Sequence, residues 1–239
     1  MLRARRILSS AALALVALVL LAVATNRLSK ARCFQLVGEV TCRVDTTERI
    51  VALTFDDGPT PEGVDSVLTT LDRYGAKATF FLIGQHLERS PGQAQRLLAA
   101  GHELGNHSFS HVRNIGHSRE FYAAEIARTS ALLRAAGQHP RYFRPPFGRR
   151  LIGLPLEVER SGLRMVTWDV EDQPERFTDP ARFAEDILAR VKPGSIILIH
   201  PMYRANETAR AALPLVLEGL RQRGYRAVTV SELLKREAA

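Results

Sequence analysis

Short apolar runs alternate with helical segments from residue 49 to the end of the chain, and no other feature constrains the fold as strongly. The runs 49–55, 78–83 and 195–200 are apolar and rich in branched side chains, which is typical of buried strands. Between them, residues 61–74 and 119–136 are predicted to form helices. Strands joined by helices favour right-handed crossovers. The pattern therefore predicts an α/β fold with seven or eight mostly parallel strands, in an open sheet or a barrel.

The segment before this pattern begins with a basic cluster followed by a long uncharged run. Three arginines lie among the first six residues, and residues 7–26 carry no charge. A helix of about 20 residues extends roughly 30 Å, which is enough to cross a bilayer. Residues 22–24 also form the small-residue pattern of a signal-peptide cleavage site. We therefore expect residues 1–26 to be a signal peptide or a membrane anchor. The remainder would lie outside the cytoplasm, anchored and facing the periplasm or cell wall, or secreted.

Residues 27–47 form a strap between this segment and the first predicted strand. The two cysteines of the chain, Cys33 and Cys42, both lie in the strap, and in an oxidising compartment we expect them to form a disulfide. Two cysteines are too few for a disulfide scaffold or a four-cysteine zinc site. The formal net charge is +8, but no dense Lys/Arg stripe follows the N-terminus, which argues against nucleic-acid binding.

Polar residues follow the predicted strands directly, where an apolar run would otherwise bury them. Asp56 and Asp57 end the first long strand, His107 and His111 follow the third, and His200 ends the run 195–200. The carboxyl ends of parallel strands meet on one face of a sheet or barrel, where active sites collect. We therefore expect these side chains to share one site.

This set of residues is suited to metal-assisted hydrolysis. His107, His111 and Asp57 offer two nitrogens and one oxygen and leave positions open for water and substrate, as in catalytic zinc sites. The same ligand set also holds non-haem iron. A second carboxylate, Asp56, and a third histidine, His200, favour hydrolysis, because a hydrolase needs a base for water and an acid for the leaving group. The chain has no Gly-x-Ser-x-Gly elbow of the serine esterases.

Five motifs in order resemble the carbohydrate esterase family 4 polysaccharide deacetylases, which include chitin, chitooligosaccharide and peptidoglycan deacetylases. The motifs are TFDDGP at 54–59, HSFSH at 107–111, RPPFG at 144–148, WDVE at 168–171 and LIH at 198–200. The resemblance extends over roughly residues 48–232. It implies a distorted (β/α) barrel of about seven mostly parallel strands after an N-terminal apolar helix. Residues 48–239 would be the catalytic domain of a monomer.

The resemblance also implies a role for each of the central residues. Asp57, His107 and His111 would bind one divalent metal ion, most readily Zn²⁺, with Co²⁺ or another ion as a substitute. Asp56 would be the general base and His200 the general acid. A backbone N–H near residue 147 would help to hold the oxyanion.

By the same resemblance, Arg144 would orient Asp56 and would itself be held by an acidic residue of the fourth motif. That motif usually reads Asp-x-x-Asp-Trp, and residues 171–175 read EDQPE. Glu171 would replace the first Asp, with Asp169 as the alternative partner of Arg144. The second Asp and the Trp are missing, so the resemblance does not define this wall of the substrate cleft. Substrate contacts are expected from Pro146, Phe147, Trp168 and Leu198.

The implied activity is the hydrolytic removal of N-acetyl groups from amino sugars of a glycan or oligosaccharide, with release of acetate. One alternative is a deformylase or deacylase of a lipid-linked amino sugar, which an uncleaved N-terminal helix would keep at the membrane. Another is an inactive glycan-binding module that keeps the fold without turnover.

Overall fold

The computed structural model describes the backbone of residues 2–237 and the side chains of residues 13–237. Its strands are β1 Val40–Thr41, β2 Ile50–Asp56, β3 Thr79–Leu82, β4 Glu103–Asn106, β5 Tyr142–Phe143, β6 Arg164–Val166, β7 Val170–Glu171, β8 Ile196–Ile199 and β9 Arg226–Val228. Its helices are α1 Leu2–Ser29, α2 Pro61–Arg73, α3 Gly84–Arg89, α4 Gln93–Ala99, α5 Arg119–Ala135, α6 Gly153–Arg160, α7 Pro180–Arg190, α8 Glu207–Gln222 and α9 Val230–Leu234.

All strand pairs of the sheet are parallel, in the order β1-β6-β5-β4-β3-β2-β8-β7, with β9 paired to the first half of β2. Within residues 2–237, β1 and β7 do not pair with each other, so the sheet curls into a half-barrel and stays open. The expected α/β fold of mostly parallel strands is confirmed. Two strands, β1 and β7, were not expected separately, because two residues are too few to show a periodic pattern.

Strand β2 is the centre of the fold, and all seven of its residues are buried. Successive side chains of a strand point to opposite faces. Val51, Leu53 and Phe55 accordingly pack in the core cluster that contains residues of α2, α7 and α8, whereas Ile50 and Ala52 belong to a separate cluster on the other face. A strand buried on both faces reads as a continuous apolar run, which explains why this segment was recognisable in the sequence.

Local capping signals explain where the main helices begin. The Thr60 side chain accepts a hydrogen bond from the backbone of the first turn of α2, and Ser118 does the same for α5. Asp179 accepts from two backbone N–H groups of α7, whose first residue is Pro180. Side-chain oxygens at these positions satisfy N–H groups that have no partner within the helix. These caps therefore fix the residues at which α2, α5 and α7 begin.

The strap is tied to the rest of the protein covalently and by hydrogen bonds. Cys33 and Cys42 form the expected disulfide, with their Cα atoms 5.1 Å apart. Helix α1 ends at Ser29, which is buried, and β1 joins the strap to the sheet by pairing with β6. The strap is therefore an integral edge of the folded protein.

In the described part of the chain, we find no helix that combines the length and the apolarity required to cross a bilayer. Several leucines and valines of α1 between residues 13 and 23 are exposed. The side chains of residues 2–12 lie outside the described part, so the expected signal peptide or anchor over residues 1–26 stays a prediction.

Removal of the disulfide should destabilise the protein measurably. We expect replacement of both Cys33 and Cys42 by serine to lower the free energy of unfolding by about 2–3 kcal/mol, because the bridge closes a short loop in the unfolded chain. Urea denaturation of the two proteins in oxidising buffer measures the difference. Reductant should lower the wild-type midpoint towards that of the double variant and leave the variant unchanged. Equal midpoints in oxidising buffer would contradict a stabilising bridge.

Candidate active site and metal centre

The two adjacent aspartates at the end of β2 point in different directions. Asp56 is the last residue of the strand, and Asp57 adopts a left-handed backbone conformation with φ of 72°. This turn directs the Asp56 carboxylate to Arg144 and the Asp57 carboxylate to His107 and His111. The two carboxylates can therefore serve different functions although they are neighbours in sequence.

Arg144 is fully buried and its guanidinium faces Asp56. Its Nη1 donates to Asp56 Oδ1 at 2.7 Å and to Thr54 Oγ1 at 2.8 Å. The remaining nitrogens donate to the backbone carbonyls of Val166 and Thr167 at 3.3 and 2.9 Å. Burial alone would raise the pKa of Asp56, but the adjacent guanidinium and its hydrogen bond hold that pKa below its usual value. Asp56 is therefore ionised at neutral pH.

The two acidic residues expected to hold Arg144, Glu171 and Asp169, make no hydrogen bond to it in this structure, although the charge of Glu171 still raises the pKa of Arg144. The Glu171 carboxylate forms an ion pair with Arg32 of the strap. Asp169 accepts hydrogen bonds from Ser195 Oγ and from the N–H of Ile196, both at 2.8 Å. Each carboxylate is thus taken up by a nearer partner, Glu171 by the strap and Asp169 by the start of β8. The donors of Arg144 are meanwhile satisfied by Asp56, Thr54 and backbone carbonyls.

His107, His111 and Asp57 come together as the sequence predicts. Asp57 Oδ1 lies 3.2 Å from His111 Nε2 and 3.8 Å from His107 Nε2. One ligand atom from each residue can be chosen so that all three lie within 4.8 Å of one another. Three ligands of a tetrahedral ion at about 2.0–2.2 Å are separated by roughly 3.3 Å, so the spacing fits a metal ion.

The hydrogen bonds of these residues also fit a metal centre. Nδ1 of His107 is 2.8 Å from the carbonyl of Arg144, which fixes the proton on Nδ1 and leaves Nε2 free to coordinate. Asp57 Oδ1 is buried and has no hydrogen-bond partner among the described residues. Burial lowers the pKa of His111 to about 3, so this imidazole is neutral, as a ligand must be. The donor set of two imidazoles and one carboxylate suits Zn²⁺.

The loop that carries both histidines is a tight turn fixed by its neighbours. Ser108 and His111 have φ of 63° and 55°, a conformation that few residues other than glycine adopt. Asn106 accepts from the N–H of Ser108, and Glu125 of α5 accepts from the next two N–H groups at 3.1 and 2.9 Å. Helix α5 therefore holds the turn that brings His111 back towards His107.

His200 is oriented by Asp172, a residue that the sequence interpretation missed. Asp172 Oδ1 lies 2.8 Å from His200 Nδ1, and Oδ2 accepts from the backbone N–H of the same residue at 2.8 Å. Burial alone would lower the pKa of His200, but the hydrogen bond and charge of Asp172 raise it to about 9. His200 is thus protonated at neutral pH. The signal was present in EDQPE, where Asp172 follows Glu171, but adjacent acidic residues cannot be ranked from spacing alone.

Comparison with known proteins agrees with this geometry. A sequence profile described as polysaccharide deacetylase matches residues 43–166, just over half of the chain. This chain belongs to the polysaccharide deacetylase family. A peptidoglycan-N-acetylglucosamine deacetylase of Bacillus cereus is 34% identical over 200 residues, covering 83% of this chain and 94% of the relative.

Two further members of the polysaccharide deacetylase family extend the comparison. PgdA, the peptidoglycan-N-acetylglucosamine deacetylase of Listeria monocytogenes, is 33% identical over 188 residues, which cover 78% of this chain but 39% of PgdA. The crystal structure of the Bc1960 peptidoglycan N-acetylglucosamine deacetylase has 29% identity and a TM-score of 0.78, covering 83% of this chain and 95% of that one. This chain is therefore similar to the Bc1960 deacetylase in fold as well as in sequence.

Of the substrate contacts expected for this polysaccharide deacetylase, one has its side chain open to a ligand. Phe147 is 55% exposed, and its ring lies 4.9 Å from the ring of His111. Pro146 and Trp168 are buried, and Leu198 is completely buried in the core cluster that also contains Trp168. Trp168 instead packs against the RPPFG loop at residues 144–148, because a Cβ at Gly148 would lie 3.1 Å from its ring. Direct contact of the Leu198 side chain with substrate is therefore not available in this structure.

The effect of Asp172 on His200 can be measured without an activity assay. An NMR titration of the His200 imidazole should give a midpoint near 9 in the metal-free wild-type protein. We expect Asp172→Asn to bring the midpoint down by roughly 1–3 pH units, since removal of a hydrogen-bonded negative charge destabilises the imidazolium. Asp169→Asn is the matched control, because that carboxylate contacts Ser195 and Ile196. An unchanged midpoint in Asp172→Asn would contradict the assigned pairing.

Proposed function

We propose that the protein is a metal-dependent hydrolase that removes N-acetyl groups from amino sugars of a glycan or oligosaccharide and releases acetate. The observation that carries this proposal is the arrangement of three units at the strand ends. They are a base held ionised by a buried arginine, a three-residue metal centre and a histidine held protonated by a carboxylate. Membership of the polysaccharide deacetylase family supports the reaction class. The named activity of the bacterial relatives supports a peptidoglycan-type glycan as the substrate.

Asp57, His107 and His111 would hold the metal ion in this proposal, with Zn²⁺ as the preferred ion and Co²⁺ as a substitute. When bound, such an ion polarises a carbonyl group and lowers the pKa of water. The chain supplies the remaining groups. Asp56 Oδ2 lies 3.7 Å from His107 Nε2, so the base borders the metal centre, while its other oxygen stays hydrogen-bonded to Arg144.

In the proposed reaction Asp56 accepts a proton from the attacking water molecule. Arg144 keeps the Asp56 carboxylate in one orientation and ionised, so the base is ready before substrate arrives. A backbone N–H near Phe147 would donate to the oxyanion that develops on the amide. His200 then donates its proton to the amine of the departing sugar, because Asp172 keeps it protonated. The carbon–nitrogen bond breaks to give acetate and a free amino sugar.

We also propose that the catalytic residues act outside the cytoplasm, on a membrane-anchored or a secreted protein. The uncharged residues 7–26 after a basic cluster support this location, and so do the exposed leucines of α1 and the disulfide of the strap. The same uncharged run of the sequence, if it anchors the protein in a membrane, favours one alternative, the deacylation or deformylation of a lipid-linked amino sugar. Parallel assays with acetylated and formylated sugars distinguish the two activities.

Two variants test whether Asp56 acts as the base while other residues bind the metal ion. Asp56→Asn should retain about one metal ion per chain and lower kcat by about 10²-fold or more, the scale of a lost general base. His107→Ala should lose metal and activity together, because it removes a ligand. Elemental analysis gives the metal content, and acetate release from acetylated oligosaccharides and peptidoglycan gives the rate.

Chelation provides the control for these variants. It should abolish wild-type activity, and Zn²⁺ or Co²⁺ should restore it. Full activity of metal-free protein would overturn the metal-dependent proposal. Equal metal loss in both variants would show that Asp56 is a ligand and not the base. A metal-loaded wild-type protein that releases acetate from none of these substrates would favour a glycan-binding module.

The proposed location predicts how the two cysteines react in intact cells. A membrane-impermeant thiol reagent should leave Cys33 and Cys42 unlabelled without reductant, and should label both after reduction, because both are joined in an extracytoplasmic disulfide. Lysed and reduced cells give the full labelling signal for comparison. Free labelling without reductant would argue against the bridge. A protein that resists protease in spheroplasts, and is cleaved only after lysis, would lie in the cytoplasm.

A further inference from the structure

A side chain of the strap reaches the candidate active site. Arg32 forms an ion pair with Glu171, and its guanidinium lies 5.9 Å from the centre of the Trp168 ring. Arg32, Glu171, Gln173 and His200 line one cavity of about 290 Å³ beside the candidate acid. This volume lies near the lower end of the range for small-ligand pockets.

The backbone at Arg32 is fixed from two sides. Thr167 Oγ1 donates to the Arg32 carbonyl at 2.6 Å, and Nη2 of the buried Arg150 donates to the same carbonyl at 3.2 Å. Arg150 also donates to the carbonyl of Gly148 at 3.0 Å, which links the strap to the RPPFG loop. The next residue, Cys33, is held by the disulfide. The strap therefore presents Arg32 in a defined place, whereas the side chain itself keeps 41% of its surface exposed.

The chemistry of the cavity favours an uncharged, hydroxyl-rich ligand. The positive charge of Arg32 is balanced by Glu171, and that of protonated His200 by Asp172, while Glu175 adds a further carboxylate to the lining, so the cavity does not favour an anion. A guanidinium, a carboxylate and the Gln173 amide nevertheless offer several donors and acceptors in fixed planes. Sugar hydroxyl groups can use both kinds of group at once.

We propose that Arg32, with Glu171 and Gln173, forms a subsite for a neutral sugar residue adjacent to the sugar that loses its acetyl group. This inference rests on the proposed deacetylase function and names the group that recognises the glycan beside His200. Residue 175 stands where the resembling family pattern has a Trp, and here it is an exposed Glu. In this chain the strap supplies a polar wall at that side of the cleft.

Steady-state kinetics of Arg32→Ala tests the subsite, with N-acetylglucosamine pentasaccharide and peptidoglycan fragments as the probes. We expect KM to rise about 10-fold or more for the oligomer that the wild-type protein deacetylates, the scale of lost charge-assisted hydrogen bonds. The values of kcat, metal content and thermal midpoint should stay at wild-type levels, which a merely structural role would not allow. Lys30→Ala is the matched control, because it removes a positive charge from the same strap at an exposed position.

Glu171→Gln provides a second variant that leaves the strap sequence intact. It should also raise KM, since it removes the carboxylate that lines the cavity and orients Arg32. If Arg32→Ala unfolds and Glu171→Gln has the wild-type KM, the subsite is overturned. Equal KM values for Arg32→Ala and Lys30→Ala overturn it while leaving the deacetylase function standing. Failure of the wild-type protein to release acetate from either probe removes the proposed function, and the subsite with it.

Discussion

The ion pair between Arg144 and Asp56 is the interaction on which the rest of the site depends. The guanidinium is removed from water, lies 4.0 Å from the Phe81 ring centre and uses its donors on Asp56, Thr54 and two backbone carbonyls. The carbonyl of Arg144 also accepts from His107, so this residue contacts both the candidate base and the candidate metal centre. Breaking a buried pair of this kind costs about 3–5 kcal/mol, because one charge remains without a partner. The orientation of the Asp56 carboxylate and the stability of the folded protein therefore depend on the same ion pair.

The clustering of the site residues could be predicted from the sequence because it follows from the parallel order of the strands and from the positions at which the strands end. The run that became β2 is apolar on both faces, and a parallel sheet places its carboxyl end at the same edge as those of β4 and β8, with β3 between β2 and β4. The sequence alone is therefore enough to place five residues in one site: Asp56, Asp57, His107, His111 and His200. Long helices could be predicted as well, since the capping residues that mark where a helix begins lie within a few positions of its first turn.

The acidic residues after β6 could not be assigned in the same way. Strand β7 has two residues, and its register against β8 decides the direction of each side chain. A shift of one residue reverses the face on which a side chain lies, so spacing could not separate Asp169, Glu171 and Asp172. The contacts that resolve them join residues far apart in sequence, such as Arg32 with Glu171 and Asp172 with His200. The pairing of Arg32 in the strap with Glu171 joins residues 139 positions apart, so no local sequence pattern predicts it.

The contacts of Arg150 have a consequence for where the catalytic unit begins. This buried guanidinium donates to the carbonyls of Ala31, Arg32 and Phe34 and to Gln35 Oε1, all within the strap, and to Gly148 in the catalytic loop. A chain shortened to residue 48 would retain all five motifs and lose four of these acceptors. The Arg150 guanidinium would then lack these acceptors at a position two residues from the loop that is proposed to hold the oxyanion. We therefore expect the shortest chain that folds on its own to start within the strap, ahead of residue 48.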